Sequence, residues 1–190
     1  MVKQWKKGMT PAVVVTLSPE LLKSSSDSYP CPNSLPDEHV LSLHSFKESI
    51  NRIKNFSPLF ASAVIIRTSP NDDSKKTREY STSETPYLTP NLCNYLIKEY
   101  NTMHIITDLP SVDRMEDSGL LLSHSAFWMF DKQSQASLLP DNQLSNRSIT
   151  ELAFIPTTVP DGIYLLDLQV STFDLDAAPS RPLIYPITPL

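Results

Sequence analysis

Short runs of β-branched and aliphatic residues alternating with helix-like patterns set the strongest constraint on how this chain can fold. Ala12-Val13-Val14-Val15-Thr16-Leu17 is apolar and continuous, as a strand buried on both faces must be, and Ser18-Pro19 closes it. The stretch from Leu59 to Arg67 repeats the signal through Ala63-Val64-Ile65-Ile66, and Met103-His104-Ile105-Ile106 repeats it again. Between the first two, Pro36-Asp37-Glu38 predicts the opening of a helix that carries Val40, Leu43, Phe46 or Lys47, Ile50 and Ile53 at three-and-four spacing. Between the second and third, Thr89-Pro90 predicts a helix start. Threonine can cap free N–H groups there, and proline in the first helical position loses no hydrogen bond. Leu92, Tyr95, Leu96 and Tyr100 would then face inward. Strand, helix and strand in that order, twice over, predict parallel strands joined by helical crossovers.

The remainder of the chain extends this α/β pattern. Ile149–Ile155 and Ile163–Val170 read as two further strands separated by a Pro160-Asp161-Gly162 turn, and Pro182–Ile187 as a short edge strand, where proline is tolerated. Three polar connections lie between elements, at about 23–36, 69–85 and 130–147. The second is long for a compact domain, and such loops are often functional. At 190 residues and 40% hydrophobic content the chain can bury one substantial core, so a single domain over 1–190 is expected.

Several function classes drop out. Three glycines against 17 prolines leave no glycine-rich loop to cradle a phosphate, and no nucleotide cofactor is expected. A net charge of −5 gives no electrostatic footprint for nucleic acid. No apolar run approaches the roughly 20 residues a membrane-spanning helix needs, and the start Met1-Val2-Lys3-Gln4-Trp5-Lys6-Lys7 does not lead into a signal peptide. A soluble, cytoplasmic protein, away from membranes and nucleic acid, is the expectation. Cys31 and Cys93 stand in unrelated contexts and suggest neither a disulfide framework nor a thiolate metal site.

Four segments then occur in fixed order: Asp108-Leu109-Pro110-Ser111-Val112-Asp113-Arg114, Leu122-Ser123-His124-Ser125-Ala126-Phe127-Trp128, Ile149-Thr150-Glu151-Leu152, and Asp176-Ala177-Ala178-Pro179-Ser180-Arg181-Pro182. Together they resemble the C-terminal part of the cyclase family of metal-dependent hydrolases. Its best-known member is bacterial kynurenine formamidase, an arylformamidase of tryptophan catabolism. The likeness runs in register from about Ala12 to Tyr185, through Val64-Ile65-Ile66-Arg67-Thr68 and Thr85-Pro86-Tyr87-Leu88. It implies a swivelling β/β/α fold, a mixed sheet with packed helices, and an active site near a subunit interface in a homo-oligomer. It also implies a small-molecule substrate and one or two divalent ions, usually zinc or manganese.

In that family the residues matching His124 and Glu151 bind metal, together with an upstream HxGTHxDxPxH segment that also supplies the acid/base histidine. No such segment occurs here, so the chain reads as a family fold lacking its N-terminal portion, or as a degenerate copy. His39 and His44, the only upstream histidines, would sit about 140° apart on one helix and cannot substitute. By spacing alone His124 and Glu151 would be structural residues; the surrounding motifs argue otherwise. No catalytic acid or base is assignable. Asp108, Ser111 and Asp113 cluster at a strand end, where Ser111 is expected to fix a turn and Asp113 is open between structural and ligand-binding roles. His104 is expected to pack or hydrogen-bond within its strand, and Phe127 with Trp128 to fill the core rather than line a pocket. Three readings follow: an arylformamidase-like hydrolase completed by another segment or chain, a non-catalytic relative that binds a ligand or associates with other subunits, and a bare fragment that exposes apolar surface.

Overall fold

The chain is described by a computed structural model covering residues 8–32, 34–82, 84–131, 136–137, 147–173, 175 and 177–187. Its strands are β1 (Thr10–Leu17), β2 (Glu20–Leu21), β3 (His39–Leu41), β4 (Ala63–Thr68), β5 (Tyr87–Leu88), β6 (His104–Thr107), β7 (Phe130–Asp131), β8 (Ala136–Ser137), β9 (Ser148–Thr150), β10 (Gly162–Val170) and β11 (Ser180–Pro186). Among the described residues the α-helices are α1 (Leu43–Ile50), α2 (Pro90–Tyr100) and α3 (Leu122–Trp128). The fold is α/β: a mixed six-stranded sheet in the order β11-β10-β1-β4-β6-β9, with helices packed on it. A small sheet, β2-β3-β5, stands beside it.

The apolar runs become the parallel centre of the large sheet. Ala12 pairs with Ala63 and Val14 with Ile65, while Val64 pairs with Ile105, all in parallel ladders. Side chains alternate across the pleat, which explains why these runs are apolar throughout. Val13, Val15, Leu17, Val64, Ile66 and Ile105 face α1, α2 and α3, where Phe46, Leu92, Leu96 and Phe127 are wholly buried against them. Each such large side chain contributes roughly 1.5–3 kcal/mol through area removed from water. Ala12, Val14, Ala63, Ile65 and Ile106 face the other way, on one face with Tyr164 and Leu166 of the neighbouring β10, and Ile155 packs against them. That second cover depends on the 151–161 segment, which one guanidinium ties down. Arg67 donates to Thr16 Oγ1 (2.9 Å), to the carbonyls of Pro156 (2.8 Å) and Val159 (2.7 Å), and to Asp161 Oδ1 (2.7 Å).

Three boundaries differ from the sequence expectation. The helix expected from Pro36 starts only at Leu43, because Val40 and Leu41 extend into β3 and pair in parallel with Tyr87 and Leu88. Ser42 then takes the cap position, its Oγ accepting the Ser45 N–H at 3.1 Å. His39 is consequently on a strand, not on a helix with His44. In the stretch read as a strand from Leu59, Pro58–Ser62 is a 3-10 turn and the strand begins at Ala63. The strand expected over Ile149–Ile155 ends at Thr150. It pairs with β6 rather than β10, so Pro160-Asp161-Gly162 does not close a hairpin. The edge strand near the C terminus is present as β11, and Thr89 caps α2 by accepting the Leu92 N–H at 3.2 Å.

Loop 23–36 is anchored to both helix starts. Asp27 Oδ2 accepts the Leu43 N–H (2.7 Å) at the beginning of α1 and the Thr89 hydroxyl (2.6 Å) at the beginning of α2. This fixes Tyr29, two residues on, against Tyr87 of β5. Its ring centroid lies 4.6 Å from that of Tyr87.

Candidate metal centre

The motifs separated along the chain converge. His124 projects from the first turn of α3, a helix whose N-cap residue Leu121 sits at φ 47° with no side-chain cap of its own. The missing cap comes from the loop after β6: Asp113 accepts the Ser123 N–H (2.5 Å) and the His124 N–H (3.2 Å). Those are two of the N–H groups that a helix start leaves without partners. The Ser123 hydroxyl donates to the Leu88 carbonyl at 2.6 Å and joins α3 to β5.

The same carboxylate reaches the His124 ring, with Asp113 Oδ2 2.6 Å from Nδ1. On the other side of the ring Nε2 faces Glu151 Oε1 at 3.6 Å, too long for a hydrogen bond. Glu151 follows β9 directly, and its Oε1 accepts the Val112 N–H at 2.9 Å. The next residue, Leu152, holds a left-handed backbone (φ 56°) and donates its N–H to the Leu109 carbonyl. Tyr29 Oη donates to Asp113 Oδ1 at 3.1 Å and accepts the Arg114 N–H at 3.2 Å.

Burial raises the Asp113 carboxyl. The hydrogen bonds from the His124 ring and from the Ser123 N–H outweigh that and hold it below the usual aspartate range. Burial, reinforced by the Asp113 charge, pushes the Tyr29 phenol well above its ordinary value and keeps it a donor. An open cavity of about 710 Å³ lies over His124 and Glu151, with Trp128, Leu152 and Phe173 among its walls. Residues 177–180 of the fourth motif also line it, while Asp176 lies outside the described residues. Trp128 therefore faces the cavity, its ring centroid 5.0 Å from that of His124, whereas Phe127 fills the core.

The strand-end cluster divides by role. Asp108 is buried in an ion pair with Lys75 (2.8 Å) and accepts from Thr68, pinning the 69–85 loop. Ser111 Oγ accepts the Asp113 N–H at 3.1 Å and fixes the turn. Asp113 alone reaches His124. His104 lies within β6 with Nδ1 2.9 Å from Ser148 Oγ. His39 is exposed, and exposed His44 stands 3.7 Å from Glu48 on α1. Sequence reasoning left Asp113 undecided and passed over Tyr29. Asp113 and His124, eleven positions apart, are joined by a stretch with no periodic signal, and Tyr29 comes from 84 residues away.

The donor set fits a divalent ion in part. Two donors on a tetrahedral zinc at roughly 2.0–2.2 Å stand about 3.3–3.6 Å apart, which the His124 Nε2 to Glu151 Oε1 separation matches. A carboxylate on the far nitrogen of a ligating histidine is the usual outer support of such a site. Among the described residues, however, no group of three or more His, Cys, Asp or Glu side chains is placed to hold a metal ion. A catalytic zinc usually takes three protein ligands.

No family model matches the sequence, and no curated protein matches it at a significant level. Solved structures do match the fold. One, described as a potential metal-dependent hydrolase with cyclase activity, superposes with a TM-score of 0.52 at 14% identity over 95% of this chain and 67% of its own. Another, a predicted metal-dependent hydrolase from Bacillus stearothermophilus, gives 0.52 at 14% identity over 97% of this chain and 71% of its own. At such identity the likeness is one of fold: the mixed sheet with packed helices is similar to that of these two structures. Among the described residues no helix is long and apolar enough to cross a membrane.

Proposed function

We propose that the chain is a cyclase-like amide hydrolase of the arylformamidase type, with His124 Nε2 and the Glu151 carboxylate as two of its metal ligands. The observation that supports this is the alignment Asp113, His124, Glu151 at one cavity: a buried carboxylate on Nδ1 and a second carboxylate 3.6 Å from Nε2. A bound zinc or manganese would supply a water of lowered pKa and a Lewis acid for the carbonyl of the scissile amide. The chain's own contribution is to hold His124 and Glu151 in place and to offer an apolar wall to an aryl group through Trp128, Leu152 and Phe173. The remaining ligands, and the group that protonates the leaving nitrogen, would come from outside the described residues or from a second copy in a homo-oligomer. N-formylkynurenine is the substrate to test first, in a cytoplasmic setting.

The shortfall of donors favours a second reading, a non-catalytic relative that binds a ligand or another subunit through the same cavity. Metal content of purified protein by plasma mass spectrometry separates the two, with the His124→Ala, Glu151→Ala double variant as control. Near-stoichiometric zinc or manganese that disappears in the double variant, together with release of formate from N-formylkynurenine, is the expected result. Equal metal in both proteins, or none in either, would overturn the hydrolase reading. Bound metal without turnover would favour the non-catalytic one.

A further inference from the structure

We propose that Tyr29 and Asp113 are positioning residues that hold the His124 imidazole with its proton on Nδ1 and Nε2 bare towards Glu151. The inference rests on the metal-holding role proposed for His124, and it concerns residues to which neither motif nor fold likeness assigns a part.

The Asp113 side chain is 1% exposed and receives three donors, Tyr29 Oη at 3.1 Å, the Ser123 N–H at 2.5 Å and the His124 N–H at 3.2 Å, while His124 Nδ1 lies 2.6 Å from its Oδ2. An ionised carboxylate offers about four acceptor positions and no proton. Three donors converging on one buried carboxyl match its ionised form, which has no proton to give, so the contact with the ring makes Nδ1 the donor. Neutral imidazole carries one N–H, and Nε2 is then left with its lone pair. The two amide bonds explain Asp113 as a cap for α3. They do not account for the bond to the ring, which lies across the helix start and fixes the ring's rotation as well as its tautomer.

Tyr29 secures the carboxylate from the opposite side. It is 4% exposed, packs on Tyr87, and its hydroxyl spans Asp113 Oδ1 and the Arg114 N–H, so it fixes both the side chain and the backbone beside it. Asp27, bonded to the starts of α1 and α2, fixes the loop from which Tyr29 comes. The ring orientation at the candidate centre is thus determined by a loop that supplies no ligand.

The test uses the full chain. Two-bond proton–nitrogen spectra of histidine-labelled, metal-free protein report which His124 nitrogen carries the proton, and calorimetric titration with zinc alone reports affinity. Wild type is expected to show the proton on Nδ1. Asp113→Asn should lose that preference and bind zinc roughly 10–100-fold more weakly. Tyr29→Phe, which removes one hydrogen bond to the carboxylate, should weaken zinc by about threefold to tenfold. Tyr87→Phe is the control: it removes the hydroxyl bonded to Glu38 from the ring next to Tyr29, at a similar structural cost, without touching Asp113. It should leave tautomer and affinity unchanged.

A wild-type proton on Nε2 would overturn the proposal, as would an Asp113→Asn protein of unchanged tautomer. Equal losses in Tyr29→Phe and Tyr87→Phe would remove Tyr29 from it. Should Asp113→Asn fail to fold, Tyr29→Phe against Tyr87→Phe decides alone. If wild type binds no zinc, the metal-holding role fails while the tautomer comparison still tests the positioning.

Discussion

At the scale of single residues the chain separates histidines by environment. His104, read from sequence as a packed strand histidine, is bonded to Ser148 within β6, and burial lowers its pKa from 6.5 to about 4. The unfolded chain therefore takes up a proton at higher pH than the folded one. The stability contributed by neutral His104 is complete above about pH 6.5 and drains away as pH falls towards 4, by on the order of 1–3 kcal/mol. Urea unfolding at pH 7 and pH 4.5 should show a larger loss for wild type than for His104→Gln, and equal losses would refute the assignment. The ligand candidates were legible for a different reason. Nothing in the spacing of His124 and Glu151 marks them, and only their flanking segments did. Asp113 stayed ambiguous because aspartate at a strand end fixes turns, caps helices or binds ligands with the same local signature. Here it caps α3 and contacts the ring together, which no one-dimensional pattern separates.

Elements were legible where side chains alternate or cap in ways that do not depend on distant partners. The Thr89-Pro90 start of α2 and the three buried runs are of that kind. The start of α1 was not, because Val40 fits a helical spacing with Leu43 as well as it fits a strand. Pairing with Tyr87, 47 residues away, decides for the strand. A second non-local effect is that α1 and α2 share one carboxylate. Asp27→Ala should unbind both starts, lowering stability by about 1–3 kcal/mol, since it strips the partner from the Leu43 N–H and from the Thr89 hydroxyl. A shift of the denaturation midpoint no larger than that of a surface Ser→Ala variant would count against this shared anchor.

For the whole molecule, the parallel order β1-β4-β6 was accessible from the succession of strands and helices, because helical crossovers leave few topologies open. The placement of β9 beside β6, and of β10 beside β1, was not. A proline-aspartate-glycine turn between two apolar stretches suggests a hairpin, whereas Asp161 bonds to Thr16 and Arg67 and directs the chain across the sheet instead. Arg67 thereby holds the cover over the second face. Arg67→Ala would take the guanidinium away from the carbonyls of Pro156 and Val159 and leave Asp161 bonded to Thr16 alone, at a cost of about 1.5–3 kcal/mol. Calorimetry should record a strongly lowered and broadened transition, and a change within a degree or two of wild type would show that the cover is held otherwise. A cooperative transition for wild type would also argue against a bare fragment.

The capping of α3 by Asp113 has one more consequence. The carboxylate that satisfies the amides of Ser123 and His124 is the one that orients the imidazole, and α3 is seven residues long, too short to persist without tertiary support. Occupying Nε2 and winding the first turn of α3 therefore belong to one equilibrium, and any cation that prefers the wound state must slow the fraying of that turn by mass action. Amide exchange at Ser123, His124 and Ser125 should slow when zinc is added, while exchange in β1, on the far side of the core, stays as it was. In this protein a helix end would serve as the gauge of ion occupancy.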